Sequence, residues 1–440
     1  MGSDALNVLL VVLEGARPDH LTAAGYERDT MPFLDQVARE GVRFTHAFTA
    51  AASSATAHAS MLTGLFPSVH GVTEETPALG PAPRVLPELL KAAGYRTAAF
   101  CPDPSLGPEM GFGRGFDRFY TQQMGGRITG RAADYARRAS DRVLGRGDAG
   151  ARRTTQALLD WLAAGSEPFF ALVRYREALR PIRPPAPYDR TFMPPALTAL
   201  QARNANQPNA AAPPPVSADE AAVLSALHDG ALRYADLRLK QIADALMADG
   251  RWDQTVFMLT AGYGEDLGDT QTIGEPALRD TTLHVPLVLR CPSRIPAGFV
   301  VEEFAQPTDL LPTVAALTGC ALDAPVQGRA LFGAAGATSG PPAVMGETFR
   351  SATSSVRRKV IRTRREKFVW QSDEANALYD LGRDPLERHN LAHEAPERAD
   401  RMRRALFDWL ADSQRWAVAH GLPVSAAESR HALERQGAAE

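Results

Sequence analysis

Chemistry in this 440-residue chain has few places to begin. The first is Glu14, in LLVVLEGARPDHL, where an apolar run of strand character delivers a carboxylate into a turn. A cation-dependent enzyme puts acidic ligands in such turns, because hard divalent ions need charged oxygen donors. Two would be wanted; the turn offers Glu14 and then Gly15, which has no side chain to contribute. The second place is FFALVRYREALRPIRP, where Arg174, Arg176, Arg180 and Arg183 follow another apolar run. Guanidinium groups grip anionic oxygens without any metal, although an arginine-rich loop is as readily a solvated surface. Cys101, Cys291 and Cys320 lie far apart with no C-x-x-C pair, which suggests neither a disulfide framework nor a cysteine zinc site and leaves them as reduced core thiols.

The elements that must position these groups are legible as an alternation. The segments Asn7–Leu13, Arg96–Cys101, Pro168–Tyr175, Thr255–Thr260 and Val285–Arg290 are short apolar runs of the kind buried on both faces of a parallel sheet. Between them TMPFLDQVAREG, LPELLKAAG, TTQALLDWLAAG and the long stretch from Glu220 to Gly250 carry helical spacing, and several stop at glycine. The expected fold is α/β, a large and mostly parallel sheet sandwiched by helices. Ligands in such folds gather at the carboxyl ends of strands, so the loops after Leu13, Tyr175 and Thr260 are where a site is expected.

Composition sets the outer limits. With 45% hydrophobic and 22% charged residues the chain can bury a large core, and a net charge of -3 argues against a nucleic-acid partner. The one apolar run near the start is seven residues long, too short to span a bilayer, and no basic leader accompanies it, so the expectation is a cytoplasmic protein without a membrane partner. The α/β domain is expected over residues 1–335, with a surface excursion at about 201–220. A small C-terminal α+β subdomain is expected over 336–423, from the alternation of RRKVIRTRREKFVWQ and the helical pattern after Ala395. Residues 424–440 lack apolar periodicity and are expected to be frayed.

Four ordered blocks carry a resemblance. NVLLVVLEGARPDHLTAAGYERDTMPFLDQVAREGVRFTHAFT resembles the opening of the sulfatases of the alkaline phosphatase superfamily, and ASMLTGLFPSVHGV resembles the helix after their nucleophile. PTDLLPTVAALTGCALDAPVQGRALF and LYDLGRDPLERHNLA are similar to later family blocks. The resemblance implies an alkaline-phosphatase-like fold and in-line cleavage of sulfate or phosphate esters, assisted by one or two divalent cations. It also implies particular residues, and here the chain departs from the pattern. The family's acidic pair after strand one falls on Glu14 and Gly15. Its C/S-x-P-x-R motif, whose first residue becomes formylglycine, falls on SATAH, which puts Ser54 at the nucleophile, Thr56 in place of Pro and His58 in place of Arg. Its D-H metal pair falls on Gly262 and Tyr263 in LTAGYGEDLG, with Glu265 and Asp266 beside them. Two active-site histidines fall on Arg174 and Leu179, and a lysine that contacts the transferred group falls on Glu275. His284, before VPLVL, agrees with part of the family.

Three readings follow. In the leading one the chain keeps the scaffold but has lost the metal and formylglycine chemistry. It then binds a small sulfate- or phosphate-type anion through Arg174 and Tyr263, or serves as a partner protein. No cofactor is expected; calcium or zinc would bind only at a weak, vestigial site of Glu14 and Glu265. In the second, a rebuilt hydrolase, Ser54 attacks and His58 or His284 is the base. In the third, shifted ligands restore a conventional metal site, though nothing in the sequence supplies them. The bland alternative for Ser53 or Ser54 is a helix cap.

Overall fold

The computed structural model describes residues 5–121, 147–195, 216–269, 278–333, 336–349 and 356–423. Its main sheet has eight strands: β1 (Asn7–Leu13), β2 (Val42–Ala47), β3 (Arg96–Phe100), β4 (Arg118–Tyr120), β5 (Phe169–Tyr175), β6 (Thr255–Thr260), β7 (Leu287–Arg290) and β8 (Phe299–Ala305). They run in the order β4-β3-β5-β1-β6-β7-β2-β8. Every neighbouring pair is parallel except the two that β7 makes, with β6 and with β2. The central strands β1, β5 and β6 are buried along their whole length, as a β-branched, apolar strand covered on both faces must be.

Register sets the site. Leu13 pairs with Tyr175 on one side of β1, and Val12 pairs with Thr260 on the other, so the three central strands end at one level and discharge their loops side by side. The helix Ser54–Thr63 follows β2; its residues from Thr56 to Thr63 are all buried, and it closes at Gly64 in the left-handed conformation (φ 69°) that glycine adopts without strain. The longest helix, Ala218–Ala248, opens with a capping box in which the Ser217 hydroxyl accepts from Glu220 N at 3.2 Å, while the Glu220 carboxylate accepts from Ser217 N at 2.9 Å. It packs on the helices Pro32–Glu40 and Ala151–Ala163.

A second, antiparallel sheet follows the two-residue strands β9 (Phe332–Gly333) and β10 (Gly336–Ala337). It is a meander of β11 (Ala343–Thr348), β12 (Arg358–Thr363), β13 (Glu366–Gln371) and β14 (Ala377–Asp380), covered by the helix Pro396–Ala419. It is joined to the main sheet through buried polar contacts: the Gln306 side chain donates to Met345 O at 2.7 Å, and Glu347 N donates to Ala50 O at 2.8 Å. The expected strands and helices are thus present. Three strands that the apolar runs did not disclose, β2, β4 and β8, lie toward the two edges of the sheet, where one face or one edge meets water and the sequence is mixed. Most of the 201–220 excursion and all of 424–440 lie outside the described residues. Among the described residues no helix is long and apolar enough to cross a membrane.

Candidate active site

The turn after β1 is built around an absent side chain. Gly15 has φ +82°, and a Cβ on it would stand 2.5 Å from the Ala178 carbonyl oxygen, so both conformation and space demand glycine. Its N–H donates to Tyr263 O at 3.0 Å and its carbonyl accepts from Glu265 N at 3.1 Å, while Glu14 N donates to Tyr175 O at 2.9 Å. These bonds stitch together the loops that leave β1, β5 and β6.

Within them Glu14 is fully buried and ion-paired. The Arg174 guanidinium, itself buried, donates from Nε to Glu14 Oε1 at 3.0 Å and from Nη2 to Ser54 Oγ at 2.9 Å. The Ser54 hydroxyl in turn donates to Glu14 Oε1. Asp103, reached just beyond β3, ties the arginines together: its Oδ2 lies 3.3 Å from Arg174 Nη1 and 3.0 Å from Arg176 Nη1. His58 Nδ1 is 2.8 Å from Ser54 O and 3.6 Å from Glu14 Oε1. A carbonyl only accepts, so Nδ1 carries the proton and Nε2 the lone pair, and that Nε2 is buried without a partner. Glu14 Oε2 and Arg174 Nη1 are likewise buried with no hydrogen bond.

The electrostatics follow from burial set against pairing. Burial alone would raise the Glu14 carboxyl; the Arg174 charge and the hydrogen bonds from Ser54 and Arg174 outweigh it and hold Glu14 below the usual carboxylate range. Burial lowers His58, so its imidazole is neutral, with Glu14 opposing and Arg174 reinforcing the shift. Burial also raises the Tyr263 phenol, helped by Glu265 and Glu14, and pushes the Cys101 thiol up to about 12.

Of the residues singled out from the sequence, Glu14, Ser54, His58 and Arg174 come together, with Tyr263 close enough to feel Glu14 and Arg174 electrostatically. Two are engaged elsewhere. Both Glu265 oxygens are taken by Arg180, by its Nε at 2.7 Å and its backbone N at 3.2 Å. The His284 ring stacks on Phe48, and its Nε2 lies 2.8 Å from Thr45 O, so the carbonyl places the proton on Nε2 and leaves the lone pair on Nδ1. Leu179 is a core residue, its Cδ2 close to the place a Gly15 Cβ would fill. Glu275 lies outside the described residues. Ser53 is the residue at the N-cap of its helix and makes no side-chain cap bond, while Ser54 turns its hydroxyl toward Glu14. Asp103 was not singled out. Its signal was position, in CPDP directly after a buried strand, where this class of fold collects functional groups.

A resident divalent cation does not fit these donors. Among the described residues Glu14 is the sole carboxylate bonded to Ser54, and its Oε1 is already bonded to a guanidinium and a hydroxyl. A Cβ at Gly262 would stand 2.4 Å from Glu14 Oε2, so a side chain there would require the Glu14 carboxylate to move. A further ligand at position 15 is barred by the turn itself. Moving a dication onto Glu14 would mean displacing a buried cation that already neutralises it.

Comparison with known proteins gives one answer throughout. The sulfatase family model matches residues 6–320, and the model for the C-terminal part of N-sulphoglucosamine sulphohydrolase matches residues 276–414. A multifunctional alkaline phosphatase superfamily protein of Trinickia caryophylli is 24% identical over 391 residues, spanning 74% of this chain and 76% of its own. An arylsulfatase of Clostridium perfringens is 23% identical, spanning 91% and 93%. Among solved structures, the phosphonate monoester hydrolase of Agrobacterium radiobacter superposes with a TM-score of 0.75 at 24% identity, covering 94% of this chain and 96% of that one, a likeness of fold.

Proposed function

Because this chain belongs to the sulfatase family, whose members typically use a divalent cation, we propose that its site is one in which a built-in guanidinium has replaced that cation, leaving a metal-independent binding site for a small sulfate-, phosphate- or phosphonate-type anion. The observation that carries this reading is the buried Glu14–Arg174 pair holding Ser54. Neither base that Ser54 would need is in working order. Glu14 sits below the ordinary carboxylate range, far from the near-neutral value an efficient base requires, and His58 turns its protonated nitrogen to the Ser54 carbonyl, not its lone pair to Oγ. Losing one electrostatic stabiliser costs on the order of a hundred- to a thousandfold in rate, and several have gone together.

Anion binding is supported by the convergence of two guanidinium groups, Arg174 and Arg176, whose Nη1 atoms already gather one anionic side chain, Asp103, at 3.3 and 3.0 Å, with Arg174 Nη1 making no hydrogen bond. Isothermal titration with phenyl phosphonate and 4-nitrophenyl sulfate in the presence of a chelator tests it. Binding that survives the chelator and weakens in Arg176→Ala is expected, with no release of nitrophenol; absence of binding overturns the proposal. One observation favours a second reading, a serine hydrolase without a metal: Ser54 Oγ is in contact with both a carboxylate and a guanidinium. That reading requires chelator-resistant turnover abolished in Ser54→Ala.

A further inference from the structure

Beside the Gly15 turn is a group of side chains that the reading above leaves unused. His228 Nε2 lies 2.9 Å from the Gly15 carbonyl, which can only accept, so Nε2 carries the proton and Nδ1 the lone pair. That Nδ1 is buried with no hydrogen-bond partner, 4.0 Å from Asp229 Oδ1. His20 Nδ1 stands 2.7 Å from the same Oδ1, and the two imidazoles meet edge to face with centroids 4.8 Å apart. The other Asp229 oxygen is held by Tyr26 OH at 2.9 Å and Arg28 Nη1 at 2.7 Å. All three residues are buried, and their ligating atoms lie within 4.8 Å of one another.

A buried imidazole nitrogen with no hydrogen bond, facing a carboxylate oxygen 4.0 Å away, calls for an explanation, since nearly all buried polar atoms find a partner. We infer that His20, His228 and Asp229 form a binding site for a divalent transition ion of the zinc type. Two imidazole nitrogens and a carboxylate oxygen are the donors such an ion selects. At bond lengths of about 2.0–2.1 Å, tetrahedral ligand atoms stand ~3.3 Å apart. The separations of 2.7 and 4.0 Å straddle that value, so small ring rotations would bring the donors to the ion. The outer partners that orient metal ligands are in place: the Gly15 carbonyl on His228, and Tyr26 with Arg28 on Asp229. Binding requires His20 to present a lone pair at Nδ1, the nitrogen 2.7 Å from Asp229 Oδ1. The ion would tie the loop after β1 to the helix Ala218–Ala248 directly behind Gly15, a structural role independent of whether the Glu14 site binds anions.

The test is metal analysis of the full-length protein after zinc loading and gel filtration. One zinc per chain is expected, retained in Glu14→Gln and lost in His228→Gln; less than about a tenth of an equivalent in the wild type, or full occupancy in folded His228→Gln, overturns the site. Zinc lost in Glu14→Gln but kept in His228→Gln would overturn both this site and the metal-independence of Glu14. X-ray absorption at the zinc edge of the wild type needs no variant: two imidazoles and a carboxylate are expected, and an all-oxygen shell contradicts the assignment.

Discussion

Replacing Arg174 by methionine removes the cation that Glu14 depends on while keeping much of the stem's volume. Both groups are almost wholly buried, Nε is 3.0 Å from the carboxylate, and Nη2 also holds Ser54 Oγ. Breaking a buried pair on one side leaves an uncompensated charge and costs about 3–5 kcal/mol, a large share of the 5–15 kcal/mol typical of a folded domain. The loss has a signature in pH. In the wild type Glu14 lies below the ordinary range, so its stabilising contribution holds above that range and is lost only in acid. Without Arg174, burial dominates and raises Glu14. The variant's deficit should therefore be largest near pH 8 and shrink toward pH 5, where the stranded carboxylate takes up a proton. Urea unfolding at the two pH values measures this, with Glu14→Gln and the double variant completing a cycle. A coupling of at least about 2 kcal/mol between the two positions is expected. A loss below about 1 kcal/mol, or one that is the same with Gln at position 14, would refute the idea that Arg174 is the counter-ion of the site.

Other outcomes can be checked with the same unfolding assays. Gly15→Ala should destabilise by about 1–3 kcal/mol, because it forces a side chain into φ +82° and against Ala178 O; a neutral effect would show the turn to be adaptable. Asp236 accepts from Phe33 N and Leu34 N at the start of the helix Pro32–Glu40, and burial pushes its carboxyl up to about 7. Its contribution is full below the ordinary aspartate range and fades as pH rises through 7, so the wild type's advantage over Asp236→Asn should be greater at pH 5 than at pH 8 by up to about 2–3 kcal/mol; an advantage that grows with pH would reverse the sign. Ser217→Ala should cost about 1 kcal/mol through loss of the capping box, and no change would mean that this end of the helix is held by packing alone.

Much of this molecule was legible in its residues because burial writes a plain signal. β1 and β6 were bounded correctly from apolar runs, and β5 to within a residue, since strands covered on both faces tolerate little else. The outer strand β8, with glutamates among its hydrophobic residues, and the short β4 gave no such run. At the site, spacing marked Gly15, Gly262 and Tyr263 as departures from the family pattern. It did not show the Glu14–Arg174 contact, which spans 160 positions and depends on the register of β1 with β5. Nor did it disclose that Glu265 belongs to Arg180 and His284 to Thr45, pairings set by how loops fold over the sheet. The most informative physical fact about the site is one no motif carries: a Cβ at Gly262 would stand 2.4 Å from Glu14 Oε2, so a side chain there would require the Glu14 carboxylate to shift from its present place.

The proposal that Arg174 stands in for a cation is tested most directly by anomalous diffraction from crystals soaked in manganese, an ion that favours carboxylate sites and scatters anomalously. Glu14 should remain bonded to the Arg174 guanidinium with no peak at coordination distance from its carboxylate. A fully occupied ion on Glu14 and Ser54, with Arg174 swung aside, would contradict it.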